Sequence, residues 1–322
     1  MRKAGLWLLC AVSILMAASR AQAGEAFWAV IGPPGPPFLA LWDPSSSLYP
    51  QVAIDITGLQ PSETSLGLAL RPATGDLYLV GSTSRLYRLS STTGVATAVG
   101  SPFTPLLSGS AFSVAFDNAD RLRVVSNTGQ NLRIDSTTAA VTVDTPLAFA
   151  AGDPNAGQTP QVVAIAYDHK NGGATAYAID AHFGLLRLGS ATASDGMLTT
   201  IAAGAPYLTG FDLSPATGLA YGIVPGYTPG LVILNLQTGT ASPLAPAGGQ
   251  FTFYHGFAVA PAIASAPTLG GLGLACLSLG LALSALLLLR RRRLREVSGT
   301  PAARDLCAAW RVESAPPRST KG

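Results

Sequence analysis

Cysteine is nearly missing where it would matter most. The chain has three, Cys10, Cys276 and Cys307, and none lies between residues 24 and 266. A disulfide framework is therefore excluded there, and that stretch must be held by packing. Charge is sparse too. Between 24 and 266, eight basic residues stand against fourteen acidic ones, a balance of −6, although the whole chain carries +3. So acidic a segment lacks the basic footprint of a nucleic-acid binder, and no nucleic-acid partner is expected. The only histidines are His169, His182 and His255, at spacings that fit no metal-ligand motif. Gly-x-Ser-x-Gly, His-Glu-x-x-His and the phosphate-binding Gly-x-x-x-x-Gly-Lys-Ser/Thr loop are all absent. Between 24 and 266 no long stretch places apolar residues at helical spacing, which argues against a helical domain.

What is present begins at the ends. Arg2 and Lys3 precede an apolar run from Ala4 to Ala18, and Ala21-Gln22-Ala23 follows. Basic start, short apolar run and small-x-small site are the three parts of a secretory signal peptide, with cleavage expected after Ala23. Leu269 to Leu289 carries no charge and is long enough to span a bilayer. Arg290, Arg291, Arg292, Arg293 and Arg295 come next, and such a cluster stays on the cytoplasmic side. The expected layout is a signal peptide at 1–23, an extracytoplasmic domain at 24–266, an anchor or sorting segment at 267–295 and a cytoplasmic tail at 296–322, read as disordered. The implied location is the cell envelope, with one span as the membrane contact.

The 24–266 segment, in which Gly, Thr, Ser and Val are abundant, reads as all-β: short runs of period-two alternation bounded by turn residues. An internal repeat narrows the architecture. Leu77–Thr93 lies without gaps over Leu122–Thr138, an offset of 45 residues, and Arg71-Pro72-Ala73-Thr74-Gly75 returns as Ser214-Pro215-Ala216-Thr217-Gly218. Repeats of about 40–50 residues, each with several strands, are the signature of propeller blades. Four blades are expected at 66–100, 112–145, 163–203 and 209–247. The strands Ala26–Ile31, Phe38–Asp43 and Gln51–Gly58 lack a fourth partner, and Phe253–Ala260 is a lone strand. Together they predict a fifth blade that closes the ring. Within the repeat, Asn127-Thr128-Gly129 predicts a three-residue hairpin loop. Val124 then faces Leu132 and Leu122 faces Ile134, on a side that packs on the next blade. Arg123 falls beside Arg133, which requires acidic residues or a ligand nearby.

At these residues a resemblance appears. Arg71–Gly75, Asp120-Arg121-Leu122-Arg123-Val124-Val125-Ser126, Thr128-Gly129-Gln130-Asn131-Leu132-Arg133 and Gly152-Asp153-Pro154-Asn155-Ala156-Gly157 resemble a secreted bacterial family known as domain of unknown function forty-three ninety-four. The resemblance implies a secreted, propeller-like repeat domain and brings no catalytic residues with it. The C-terminal segment is similar to envelope sorting tails of Gram-negative bacteria through Pro267-Thr268-Leu269, the span and Arg290–Arg293. It differs from them at Ala266 and Gly270-Gly271-Leu272, and it runs on to Gly322. Cleavage by a sorting protease and a plain anchor both stay open.

Candidate site residues follow from this layout. Arg123, Asn127, Gln130, Asn131 and Arg133, on and around the repeat hairpin, are candidates for ligand binding. Asp117, Asn118 and Asp212, placed just after the first strands, which line a propeller channel, are candidates for calcium. Asp153-Pro154-Asn155-Ala156-Gly157 reads as an Asx-type turn rather than a calcium loop. No catalytic residue and no required cofactor is expected. The leading expectation is a non-enzymatic binding or structural protein, with an envelope polysaccharide or a surface protein as partner. The alternative is a calcium-dependent propeller hydrolase of lactonase or glycosidase type.

Overall fold

The computed structural model describes residues 25–32, 37–43, 50–172, 175–189, 193–225, 230–246 and 254–260. The expected signal peptide, span, arginine cluster and tail lie outside these residues, as does most of the Gly32–Pro37 loop. Among the described residues, no helix is long and apolar enough to cross a membrane.

Five sheets follow one another along the chain, antiparallel except for one short added strand. β1 (Ala26–Ile31), β2 (Phe38–Trp42) and β3 (Val52–Asp55) open it. Blade 2 holds β4 (Ser65–Leu70), β5 (Leu77–Gly81), β6 (Arg85–Leu89) and β7 (Ala96–Val99). Blade 3 holds β8 (Phe112–Phe116), β9 (Arg121–Ser126), β10 (Asn131–Asp135) and β11 (Val141–Val143). After β12 (Ala148–Phe149), blade 4 holds β13 (Val162–Tyr167), β14 (Ala176–Asp180), β15 (Gly184–Leu188) and β16 (Met197–Ala202). Blade 5 holds β17 (Gly210–Leu213), β18 (Ala220–Val224), β19 (Gly230–Leu234) and β20 (Ala241–Pro246), and β21 (Tyr254–Ala260) is the last strand among the described residues. The first sheet runs β21-β1-β2-β3. The last strand thus completes the first blade, with Trp28 opposite Ala258 and Phe27 opposite Val259. The chain is a five-bladed β-propeller closed by its terminal strands, the device by which such rings avoid a long open edge. One strand had no signal in the repeat: β12 leaves the connection after blade 3 and pairs in parallel with β16.

Strand alternation sends successive side chains to opposite faces, so each blade feeds two apolar layers. Leu77 and Leu79 of β5 enter the layer shared with blade 1, while Tyr78 and Val80 enter the layer shared with blade 3. The five core clusters are the five interblade layers. The repeat hairpin has the register expected from its sequence, with Val124 opposite Leu132, Leu122 opposite Ile134 and Arg123 opposite Arg133. Gly129 takes φ +83°, which the three-residue loop requires. One expectation is corrected: the apolar side of this hairpin packs on blade 2, the preceding blade, because Leu122, Val124, Leu132 and Ile134 share a layer with Tyr78 and Val80. The arginine side meets blade 4.

The innermost strands β21, β4, β8, β13 and β17 neighbour one another around the axis. Their starts gather at a loop face, their ends at a face of tight turns. The ring is narrow. A Cβ on Gly256 of β21 would stand 2.5 Å from the Leu68 Cβ of β4, so no side chain fits there. Inner strands have no further strand to pair with on the axial side, and unpaired backbone groups there would be costly. Side chains of neighbouring inner strands supply partners instead. The Ser65 hydroxyl donates to the His255 carbonyl (2.9 Å), Ile165 N–H donates to Ser113 Oγ (3.0 Å) and Val259 N–H donates to Asp212 Oδ2 (2.8 Å).

Candidate functional site

The Asn127-Thr128-Gly129-Gln130 loop sits on the loop face, and it clamps the connection that enters blade 3. Asn127 Oδ1 accepts from Ser110 N–H (3.0 Å) and Ala111 N–H (3.2 Å), and its amide nitrogen donates to Ser110 Oγ (3.0 Å). Gln130 Oε1 accepts from Ser108 N–H (2.9 Å) and its amide nitrogen donates to the Leu106 carbonyl (2.9 Å). The Thr128 hydroxyl donates to the Ser108 carbonyl (2.8 Å). Asn127 and Gln130 therefore build a loop that projects Ser110 and Leu106, and Leu106 is 66% exposed.

Beside that loop opens the axial mouth of the ring, a cavity of ≈ 130 Å³. Every inner strand contributes to it, and its polar lining comes from Ser65, Ser110, Ser113, Thr209 and His255. No charged residue lines it, and burial pushes the His255 imidazole below its ordinary pKa, which keeps it neutral. Ser110 and Ser113 each accept one bond, from Asn127 Nδ2 and Ile165 N–H, and each hydroxyl keeps a proton to offer.

Arg123, Asn131 and Arg133 form a separate, internal network. Arg123 is 2% exposed and Asn131 1%. Arg123 Nε donates to the Tyr167 hydroxyl (2.7 Å), and its Nη1 reaches Asn131 Oδ1 and Asp144 Oδ2 (2.9 Å to the latter). Arg133 binds both oxygens of the same carboxylate, at 2.7 and 2.6 Å. Asp144 is the acid that the adjacent arginines required. These bonds hold Arg133 above its ordinary pKa. Asn131 Nδ2 donates to the Thr145 carbonyl, which ties the exit of blade 3 to its hairpin.

The three acid-and-amide candidates part company. Asp117 is spent on its own turn: Oδ1 accepts from Ala119 and Arg121 N–H, and Oδ2 pairs with the Arg121 guanidinium (3.0 Å). Asn118 donates to the Gly172 carbonyl in blade 4. Asp212 lies within β17, not just after it. Strand alternation sends Phe211 and Leu213 into the layer with blade 4 and Asp212 toward β21. Oδ1 accepts from Leu213 N–H (2.8 Å) and Oδ2 from Val259 N–H. Burial pushes its pKa up to about 7 against those two donors. His169, in a short turn before β14, lines the same turn-face cavity as Asp212, and burial pushes its pKa down. His182 is on the hairpin loop after β14 and His255 at the loop-face mouth, so the three histidines do not converge. Among the described residues, no group of three His, Cys, Asp or Glu is placed to hold a metal ion. The Asp153–Gly157 stretch is an Asx turn, with Asn155 N–H donating to Asp153 Oδ1 (2.8 Å), pinned to β16 through Thr200.

Superposing the blades by register exposes two departures. The inner-strand residue facing the next blade is Ala69, Ala115, Ala166 and Ala258 in four blades and Asp212 in blade 5. Its partner on the second strand is Tyr78, Tyr177, Tyr221 or Trp28, and Arg123 in blade 3. The repeat alignment already set Arg123 over Tyr78; the Asp212 departure needed the first strands as well.

The sequence profile described as "Domain of unknown function (DUF4394)" matches residues 39–256. The chain belongs to this family. The DUF4394 match spans the propeller from its second strand to its last, and the Asn127–Gln130 clamp falls inside it. No curated protein matches the sequence. Among solved structures, a protein of unknown function from Bacteroides thetaiotaomicron VPI-5482 is similar at 15% identity and TM-score 0.45, over 73% of this chain and 60% of that one. TolB from Acinetobacter baumannii is similar at 14% and 0.43, over 76% and 59%. Glutaminyl cyclase from Myxococcus xanthus is similar at 14% and 0.40, over 58% and 76%. The chain thus spans about three fifths of the first two. Likeness at this level carries neither site nor substrate across to the DUF4394 chain.

Proposed function

We propose that this chain is an envelope-displayed binding propeller. In this reading residues 1–23 export it, and the 269–289 span with its arginine cluster holds it, either permanently or until a sorting protease acts. Its ligand is an uncharged polar chain end, such as a terminal sugar of an envelope polysaccharide, taken at the loop-face mouth. One observation carries this: Asn127, Thr128 and Gln130 are spent on fixing the loop that brings Ser110 to a mouth lined by hydroxyls and by no charged residue. Such a lining offers hydrogen bonds without the charge that would select an ion. Its volume accommodates a single small ring, and the hydroxyl donors on Ser110 and Ser113 match the acceptor-rich edge of a sugar.

Binding of neutral oligosaccharides to the purified full chain tests the reading. Ser110→Trp plugs the mouth from an exposed loop position, so it is expected to abolish binding while costing no more stability than the one Asn127–Ser110 side-chain bond it removes, about 0.5–1.5 kcal/mol. Binding that tolerates the tryptophan removes the mouth from consideration. A C-terminal epitope tag separates the two fates of the anchor: loss of the tag from the mature band means cleavage, and persistence means a plain span. A hydrolase reading has Asp212 in its favour, a carboxyl near neutrality in a cavity. It lacks a second acid facing Asp212, since Asp117 is consumed by its turn. For the calcium form of that reading, a site occupied at a hundredfold its Kd would add about 2.7 kcal/mol of stability. A calcium-dependent rise in midpoint that chelator reverses would favour it.

A further inference from the structure

We infer that the turn-face cavity is a binding site for a short alkylammonium, with Asp212 as the anion that receives the charged head. This is independent of the loop-face mouth, which opens at the other end of the ring.

Four observations converge. First, the cavity has a volume of ≈ 70 Å³ and mostly apolar walls, among them Leu70, Pro72, Phe116 and Pro215. Second, Asp212 is the one polar residue at a ring position that four other blades fill with alanine, and its service to the ring, on Val259 N–H, takes a single lone pair of one oxygen. Third, the cavity walls contributed by β4, β8, β17, β21 and the surrounding turns carry only two titratable groups, Asp212 and His169, and burial keeps His169 neutral. The carboxylate therefore has two backbone donors and no countercharge in the cavity, and a buried anion in that state is unfavourable. Fourth, Asp212 stays within reach of water through the cavity although it lies deep in the ring.

The chemistry selects the occupant. Each carboxylate oxygen uses one lone pair on a backbone N–H and keeps another for an incoming donor. An anion is repelled, and a purely apolar molecule leaves the charge uncompensated. Calcium takes about 6–8 oxygen ligands, and one carboxylate beside an imidazole does not supply them. An ammonium on a short alkyl stem needs one carboxylate for its head and apolar walls for its body. When it binds, the Asp212 proton leaves to solvent and the cation takes its place, so binding and proton release go together.

The experiment is isothermal titration of the full chain with methylammonium and propylammonium. It is run near pH 6, about one unit below the Asp212 pKa, in two buffers of different ionisation enthalpy. The expected result is saturable one-site binding with nearly one proton released per ligand. Affinity should fall at least about tenfold both in Asp212→Asn and in Leu70→Phe, which narrows the cavity and keeps the carboxyl. Wild-type protein that shows no saturable heat overturns the proposal. So does binding retained by either variant, or calcium binding in preference to the amines. If Asp212→Asn fails to fold, Leu70→Phe alone decides.

Discussion

At the scale of single residues, two positions break the fivefold pattern, and each has a consequence that can be measured. Asp212 has its pKa raised above the unfolded value, because the fold favours the neutral acid. Its contribution to stability is complete below the unfolded pKa of 3.8 and is lost as pH rises through about 7. Burial lowers the pKa of His169 and His255, which gives the opposite slope: their neutral forms are favoured, so stability falls as pH drops below the ordinary histidine value. Thermal melts of wild type and Asp212→Asn across pH 5–8 separate the two. The wild type is expected to lose stability relative to the variant as pH climbs, by a few kcal/mol at most. A constant gap between the two melting curves would show that Asp212 does not titrate in this range.

Arg123 is the second break. Asp144→Ala leaves its guanidinium buried without an anion and is expected to cost about 3–5 kcal/mol in urea unfolding. Arg123→Tyr restores the aromatic that the other blades carry and leaves Asp144 paired with Arg133 (2.6 Å). It should cost clearly less than Asp144→Ala. Equal losses would mean that the network acts through shape and not charge.

At the scale of elements, the β9–β10 hairpin shows what a family-marking stretch can be for. Its strands were legible because apolar residues alternate and Gly129 marks the loop. The partners of Asn127 and Gln130 were not, since they lie about twenty residues upstream in a connection without regular pattern. Gln130→Ala removes two hydrogen bonds to that connection, each worth about 0.5–1.5 kcal/mol. Amide exchange at residues 104–111 is expected to speed up while the strands of blade 3 stay protected. Unchanged exchange there would mean that Asn127 and Thr128 suffice to hold the loop. β12 belongs to the same class: two residues that pair with β16 from a long connection carry too little periodicity to be read as a strand.

At the scale of the whole molecule, ring closure rests on β21. Its residues Phe257, Val259, Ala258 and Ala260 sit in the two layers flanking blade 1, so the strand welds blade 1 to both neighbours. A chain truncated before Tyr254 is expected not to fold cooperatively. One truncated after Ile263, at the end of the compact unit that contains the propeller, should melt in a single transition. Cooperative melting of the shorter form would mean that the ring tolerates an open blade.

The sequence by itself determined the blade count, the closing strand, the hairpin register and the need for an acid or a ligand beside Arg123 and Arg133. All of these follow from local alternation, turn residues and a repeat of fixed length, which physics ties to strand geometry directly. Only the tertiary structure decided which acid that was, which face of the hairpin met which blade, and how the candidate residues divide. Asn127 and Gln130 build the mouth, Arg123, Asn131 and Arg133 lock blade 3, Asp117 closes a turn and Asp212 faces the ring. Those assignments depend on residues far apart in the chain meeting around an axis. The depth of Asp212, and hence its affinity for a proton, exists only once five inner strands surround it.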